Sequence, residues 1–297
     1  MQKIVEAIPN FSVSGGTVLE ELLTLAKSFE GVTLLDSSSD TSHNRTVVTL
    51  LGDYSGIKKA TISLAKYAIE NIDLSTHKGE HPRMGAVDVI PFVPIKNITM
   101  EECIALSKEV AEEVSKNGLP VFLYEETAMA IHGKNTPRAN LATLRKGEFE
   151  GMAEKIKEEK FKPDYGTELH KTAGIVAIGA RMPLIAFNVN LSTSDVEIAN
   201  KIAKLVRGLG GGLKYCKAIG VALNETTAQV SMNLTNYEKT PIYRALELVK
   251  IEAKRYGVTV IGTELIGLAP MDALIDSAIY YMQVENYEKT AVLESRF

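Results

Sequence analysis

With 297 residues, 45% of them hydrophobic, the chain can fill one large domain or two of ordinary size. Its formal charge of -4, from 33 Lys and Arg against 37 Asp and Glu, leaves no general basic field for a nucleic-acid backbone. The opening MQKIVEAIPNFS lacks the apolar core of a secretory signal and no stretch approaches the ~20 apolar residues of a membrane span, so a cytoplasmic protein with no membrane or nucleic-acid partner is expected.

In chain order, apolar patterning predicts a strand at Ile4–Ile8, a helix at Val18–Phe29, strands at Val32–Asp36 and Thr46–Leu51, and a helix at Ile57–Ile72. A strand at Val87–Val93, a helix at Met100–Asn117, a strand at Val121–Tyr124 and one long helix at Asn140–Lys157 follow. Strands at Ile175–Ala180 and Leu184–Asn190 lead to a helix at Asp195–Val206, strands at Lys217–Leu223 and Ala228–Leu234, a helix at Ile242–Tyr256, a strand at Val258–Leu265 and a helix at Met271–Met282. Ser194-Asp195 reads as an N-cap, and Thr240-Pro241 puts proline in a first turn. The class is α/β or α+β with mixed strands. RTVVTLL, a helix and a strand ending PFVP share a layout with AQVSMNL, a helix and a strand ending GLAP, which suggests two β-α-β subdomains. Apolar periodicity lapses over Glu158–Thr172, so the division is set at 1–170 and 171–297. Cys103 and Cys216 lie far apart without C-x-x-C, which excludes a zinc ribbon and a disulfide framework.

The stretch His77–Arg83, HKGEHPR, contains the H-x-x-E-H pattern of a zinc peptidase. That chemistry needs a helix, because only helical spacing turns His77 and His81 to one metal. Gly79 between them and Pro82 after His81 argue against the helix, so no metal is expected. The run is either a solvated turn or a functional loop whose end is fixed by the apolar strand that follows, with a histidine set for proton transfer.

Read whole, HKGEHPRMGAVDVIPFVP resembles the formiminotransferase family, the folate-dependent glutamate formimidoyltransferases. Further matches are EAIPNFS at 6–12, NRTVVTLLG at 44–52, DYG at 164–166, TAGIVAIGARMPLIAFNVNL at 172–191, GGGLKYCKAIGV at 210–221, AQVSMNL at 228–234 and IGLAP at 266–270. The resemblance implies an α+β chain of two ferredoxin-like subdomains with a substrate tunnel between them, a homodimer, and a transferase of one-carbon groups. The implied reaction moves the formimino group between N-formimino-L-glutamate and tetrahydrofolate, a step of histidine breakdown, with tetrahydrofolate as co-substrate. Because animal members carry a following cyclodeaminase domain and this sequence stops at Phe297, a separate cyclodeaminase is expected to take the product. The family's catalytic histidine falls in G-E-H-P-R, here His81.

Around it, Glu80 is a candidate to orient His81, and Asp36 and Asn44 are candidates to hydrogen-bond the formimino nitrogens or the pterin edge; both are also ordinary turn residues. Arg45, Arg83 and Arg181 are candidates to clamp substrate carboxylates, against the alternative of a surface salt bridge for each. Asp164, Gly166, Thr172 and Gly174 align with the family's folate-binding linker. His43 and His132 read as structural or exposed. Competing activities are formyl transfer from, or cyclisation of, 5-formyltetrahydrofolate, a glycine-accepting formimidoyltransferase, and a non-catalytic folate carrier.

Overall fold

The computed structural model describes residues 2–296 and divides into two compact units after Arg181. In the first unit, strands β1 (Ile4–Ala7) and β2 (Asn10–Phe11) both lie between β4 (Arg45–Gly52) and β5 (Val87–Lys96). Strand β3 (Val32–Asp40) pairs with β4 at one edge, while β7 (Val176–Ala180) and β6 (Val121–Leu123) extend the sheet in parallel beyond β5. Helices α1 (Gly16–Ala26), α2 (Tyr54–Asn71) and α3 (Met100–Lys116) cover one face, bringing Leu22, Ile57, Leu64, Leu106 and Val110 against Val5, Val48, Leu50, Ile90 and Phe92. The capping of these helices is local chemistry: Asp53 accepts from the Gly56 N–H, and Thr99 with Glu102 makes a capping box.

On the opposite face, α5 (Leu141–Arg145) and α6 (Glu148–Lys155) contribute Leu144 and Met152 to a second core with Met84, Val89, Phe122, Tyr124 and Ala177. Strand β7 is therefore covered on both faces, which is why VAIGA reads as an unbroken apolar run.

The second unit is built from β8 (Ile185–Leu191), α7 (Val196–Val206), β9 (Cys216–Ala222), β10 (Ala228–Leu234), α8 (Ile242–Lys254), β11 (Val260–Ile266) and α9 (Met271–Met282). Its antiparallel sheet runs β11-β8-β10-β9, with Phe187, Val189, Val230 and Met232 packed on Ile202, Val206, Ala245 and Val249. The β-α-β-β-α-β order and strand arrangement recur in the first unit, where β3-β4-β1-β5 take the places of β9-β10-β8-β11. The chain is thus a mixed α+β protein with two sheets, and among the described residues no helix is long and apolar enough to cross a membrane.

Four points of the sequence reading change. The long helix at Asn140–Lys157 breaks into α5 and α6, because Gly147 is left-handed (φ +97°) and the Lys155 ammonium caps α5 by donating to the carbonyls of Thr143, Leu144 and Lys146. A helix absent from the sequence reading, α4 (Glu125–His132), follows β6, and Pro241 stands at the N-cap of α8 and not inside its first turn. The polar stretch before residue 171 is not where the units part: β7 pairs with both β5 and β6, which carries the first unit to Arg181.

Candidate active site

Between α2 and β5 the HKGEHPR segment takes no helical turn, so His77 and His81 do not share a helix face. What shapes it is the β3–β4 hairpin. Asn44, in the left-handed region at φ +47°, accepts from Ser14 Oγ and donates from Nδ2 to the Lys78 carbonyl, 2.9 Å away in each case. Its own carbonyl accepts from His77 Nε2 at 3.0 Å. Gly79 lies so close to the hairpin that a Cβ there would stand 2.5 Å from the His43 carbonyl oxygen, which only glycine permits. Arg83 Nε donates to His77 Nδ1 at 3.3 Å, which fixes His77 as the neutral Nε2–H tautomer. Its pKa is accordingly held below the usual histidine value, by burial first and by the charge of Arg83, against the hydrogen bond to Asn44.

His81 is 8% exposed, and its Nε2 lies 3.9 Å from Asp88 Oδ2. That separation exceeds a hydrogen bond but lets the carboxylate stabilise an imidazolium. Asp88, 1% exposed at the start of β5, accepts the Met84 N–H at 2.8 Å and forms an ion pair with Arg145, the last residue of α5. Burial raises the Asp88 pKa, but Arg145, His81 and the Met84 amide outweigh it and hold the carboxyl below its ordinary value. Arg45, first residue of β4, joins the same group: burial lowers its pKa, then repulsion from Arg145, against attraction to Asp88 and Asp40. The three bases share one property. Arg45 Nε, Arg145 Nε and His81 Nε2 are buried and meet no hydrogen-bonding protein group.

The other sequence candidates fall into distinct places. Glu80 is exposed, and its backbone N–H donates to Ser42; the carboxylate beside His81 is Asp88. Arg83 does not present a free fork, since Nη1 donates to Glu148 and Glu150, Nη2 to Glu150 at 2.7 Å, and Nε to His77. Arg181 follows β7 and donates its backbone N–H to Phe92, roughly 13 Å along β5 from Asp88 at ~3.3 Å per residue. Asp36 sits exposed on β3, paired with Thr49.

Asp164 is engaged on both oxygens: Oδ1 with His132 Nε2 at 2.5 Å, and Oδ2 accepting from Arg138 at 2.9 Å and from the Leu123 N–H at 2.8 Å. His132 is thereby a structural partner. Gly166, at φ +75°, packs on Pro120. Thr172 and Gly174 lie nearer His81: the Thr172 carbonyl accepts from Leu74, and Gly174 abuts the Met84 carbonyl. His43, its Nδ1 2.8 Å from Asp40 Oδ2, stands with its ring centre 6.2 Å from that of His81.

Asp88 and Arg145 are the site members absent from the sequence reading. Asp88 had a signal, being a lone acid in the apolar run GAVDVIPFVP. Arg145 had none, because only the fold brings LATLR over the end of β5.

A buried histidine facing a carboxylate, with two arginines alongside, equips a site for proton transfer on an anionic substrate. Comparison with known proteins gives this class its family. The N-terminal subdomain of the formiminotransferase domain matches residues 4–181, and the formiminotransferase domain matches residues 186–295. The chain belongs to the formiminotransferase family. It is 59% identical to glutamate formimidoyltransferase of Streptococcus pyogenes serotype M1, covering 97% of this chain and 96% of that one. It is 44% identical to glutamate formimidoyltransferase of Thermoplasma acidophilum over 99% and 97% of the two chains. With formimidoyltransferase-cyclodeaminase of Dictyostelium discoideum it shares 42% identity over 96% of this chain and 54% of that protein.

Proposed function

We propose that this protein transfers the formimino group of N-formimino-L-glutamate to tetrahydrofolate, giving L-glutamate and 5-formiminotetrahydrofolate, with His81 as the acid/base group. The observation that carries the reading is the His81 imidazole, 3.9 Å from the Asp88 carboxylate on a loop pinned by Asn44 and fitted around Gly79. N5 of tetrahydrofolate attacks the amidine carbon, forming an N5–C bond and a tetrahedral carbon bearing three nitrogens. N5 then loses its proton to His81 as base, and Asp88 stabilises the imidazolium. The same imidazolium gives the proton to the glutamate nitrogen, the bond from that nitrogen to carbon breaks, and the amidine double bond returns. One histidine thus serves both halves, with no net change in protonation.

Each unit is read as ferredoxin-like on the strength of its β-α-β-β-α-β order, and the folate co-substrate is assigned the backbone of the 164–174 segment, where Thr172 and Gly174 border the His81 loop. In the same reading the protein is a cytoplasmic homodimer. The test is donor choice: tetrahydrofolate is offered N-formimino-L-glutamate, N-formylglutamate and N-formiminoglycine in parallel. Release of glutamate from the formimino donor alone is expected. Turnover of the formyl donor alone, or folate binding without turnover of any donor, would replace the reading with formyl transfer or with a folate carrier.

A further inference from the structure

Two arginines at close range in a half-buried setting repel one another, and a buried guanidinium N–H without an acceptor costs free energy that a folded protein normally avoids. Around Asp88 the chain holds both conditions at once. Arg145 uses one end of its guanidinium on Asp88, and its Nε is buried with no acceptor. Arg45 has no ion-pair partner within salt-bridge distance among the described residues, and its Nε is likewise buried without an acceptor. Asp88 is ion-paired with Arg145, while Arg45 meets Asp88 and Asp40 only at longer range, so Arg45 is left without a close anionic partner near His81. Arg83, seven-hundredths exposed in a neighbouring position, is the contrast, because two glutamates already fill its donors.

We propose that Arg45 and Arg145 form a carboxylate subsite next to His81 that anchors the α-carboxylate of the formimino donor. The assignment rests on the functional reading above for the identity of that donor, but the subsite itself is a property of the chain. In N-formimino-L-glutamate the α-carboxylate is one carbon away from the nitrogen that must be protonated to leave, so a group holding it has to lie beside the acid/base residue. The folate tail also ends in carboxylates, but the p-aminobenzoyl ring separates them from the reacting N5. An incoming carboxylate placed against the two guanidiniums offsets the repulsion between them. Arg145 is held for this by two constraints: its ion pair with Asp88, and Lys155, whose ammonium ties down the carbonyls on either side of it.

The experiment pairs a residue deletion with a donor deletion. Arg45→Met and Arg145→Lys are compared with the unaltered protein on N-formimino-L-glutamate and on 4-formimidoylaminobutyrate, the same donor without its α-carboxylate. Arg45→Met should raise the KM of the full donor roughly 10- to 100-fold, the scale of a hydrogen bond to a charged group, and leave the tetrahydrofolate KM unchanged. The shortened donor should be poor with all three proteins and nearly insensitive to either substitution. Arg145→Lys keeps the charge beside Asp88 and should show a smaller effect in the same direction.

An unchanged donor KM in Arg45→Met, or equal sensitivity of the two donors, overturns the proposal; a rise confined to the tetrahydrofolate KM overturns it too and gives the arginines to the folate tail. Calorimetry with L-glutamate and with 4-aminobutyrate separates this question from the functional one. Should the unaltered protein turn over no formimino donor, glutamate binding that weakens in Arg45→Met still upholds the subsite, and binding indifferent to the substitution removes it.

Discussion

Two arginine clusters lie within one short loop's reach and differ in a single respect. Arg83 directs Nε, Nη1 and Nη2 at His77, Glu148 and Glu150, so its charge is spent inside the protein. Arg145 is ion-paired with Asp88, Arg45 faces the same carboxylate only at longer range, and both keep buried Nε atoms without acceptors. In sequence Arg83 closes HKGEHPR, Arg45 follows His43-Asn44, and Arg145 precedes Lys146-Gly147-Glu148, so neighbouring residues do not tell the two clusters apart. The difference teaches that chemistry is to be sought where polar groups are buried and incompletely satisfied, and that a saturated network is part of the scaffold. In the second unit Gln229 donates to Asn190 and Glu264 across its sheet, which satisfies a buried amide.

A graded set of substitutions separates the two clusters. The largest effect belongs to the unsatisfied cluster: His81→Ala should lower turnover by ~10² to 10⁴, the usual worth of a general acid/base, with folate affinity largely retained. Next comes a saturated cluster. Asp164→Ala strands the buried Arg138 guanidinium, so a loss of about 3–5 kcal/mol in unfolding free energy is expected by denaturant titration, the scale of a broken buried pair. A midpoint unchanged from the parent would show that Asp164 is not the structural tie described.

Arg83→Met should cost about 1–3 kcal/mol of stability by the same titration while the donor KM stays close to the parent value, since its guanidinium is already occupied. A large rise in that KM with stability intact would return Arg83 to the role of a substrate clamp. The smallest effect is one of pH. His77 has a folded pKa below its unfolded value near ~6.5, so its contribution is complete above that pH and is lost as pH falls toward the folded value. His77→Gln should therefore flatten the decline in stability below about pH 6.5; an unaltered slope would mean that the neutral tautomer bound by Arg83 and Asn44 contributes nothing.

The sequence made much of this legible. The periodicity of VEIANKIAKLV, the cap at Asp195 and the alternating strands of the second unit are local signals, and each appears as read. The bent, non-helical path of the loop holding His77 and His81 was legible from Gly79 and Pro82, whereas the choice of His81 over His77 came from the family resemblance. Three features were not legible, each for a physical reason. The break between α5 and α6 depends on Lys155 reaching back to the carbonyls of α5, a tertiary contact with no trace in helical periodicity. The role of Asp88 depends on a partner from α5, and Arg145 lies far from it in the chain. The extent of the first unit depends on β7 pairing in parallel between β5 and β6, which a polar stretch before residue 171 cannot reveal.

The most direct test of the account is a single-turnover mix of excess protein with tetrahydrofolate and N-formimino-L-glutamate, followed for 5-formiminotetrahydrofolate and glutamate, with His81→Ala alongside. Stoichiometric formation of both products by the unaltered protein, and their near absence over the same interval with His81→Ala, is the predicted result. Equal rates from the two proteins would contradict a reaction centred on His81.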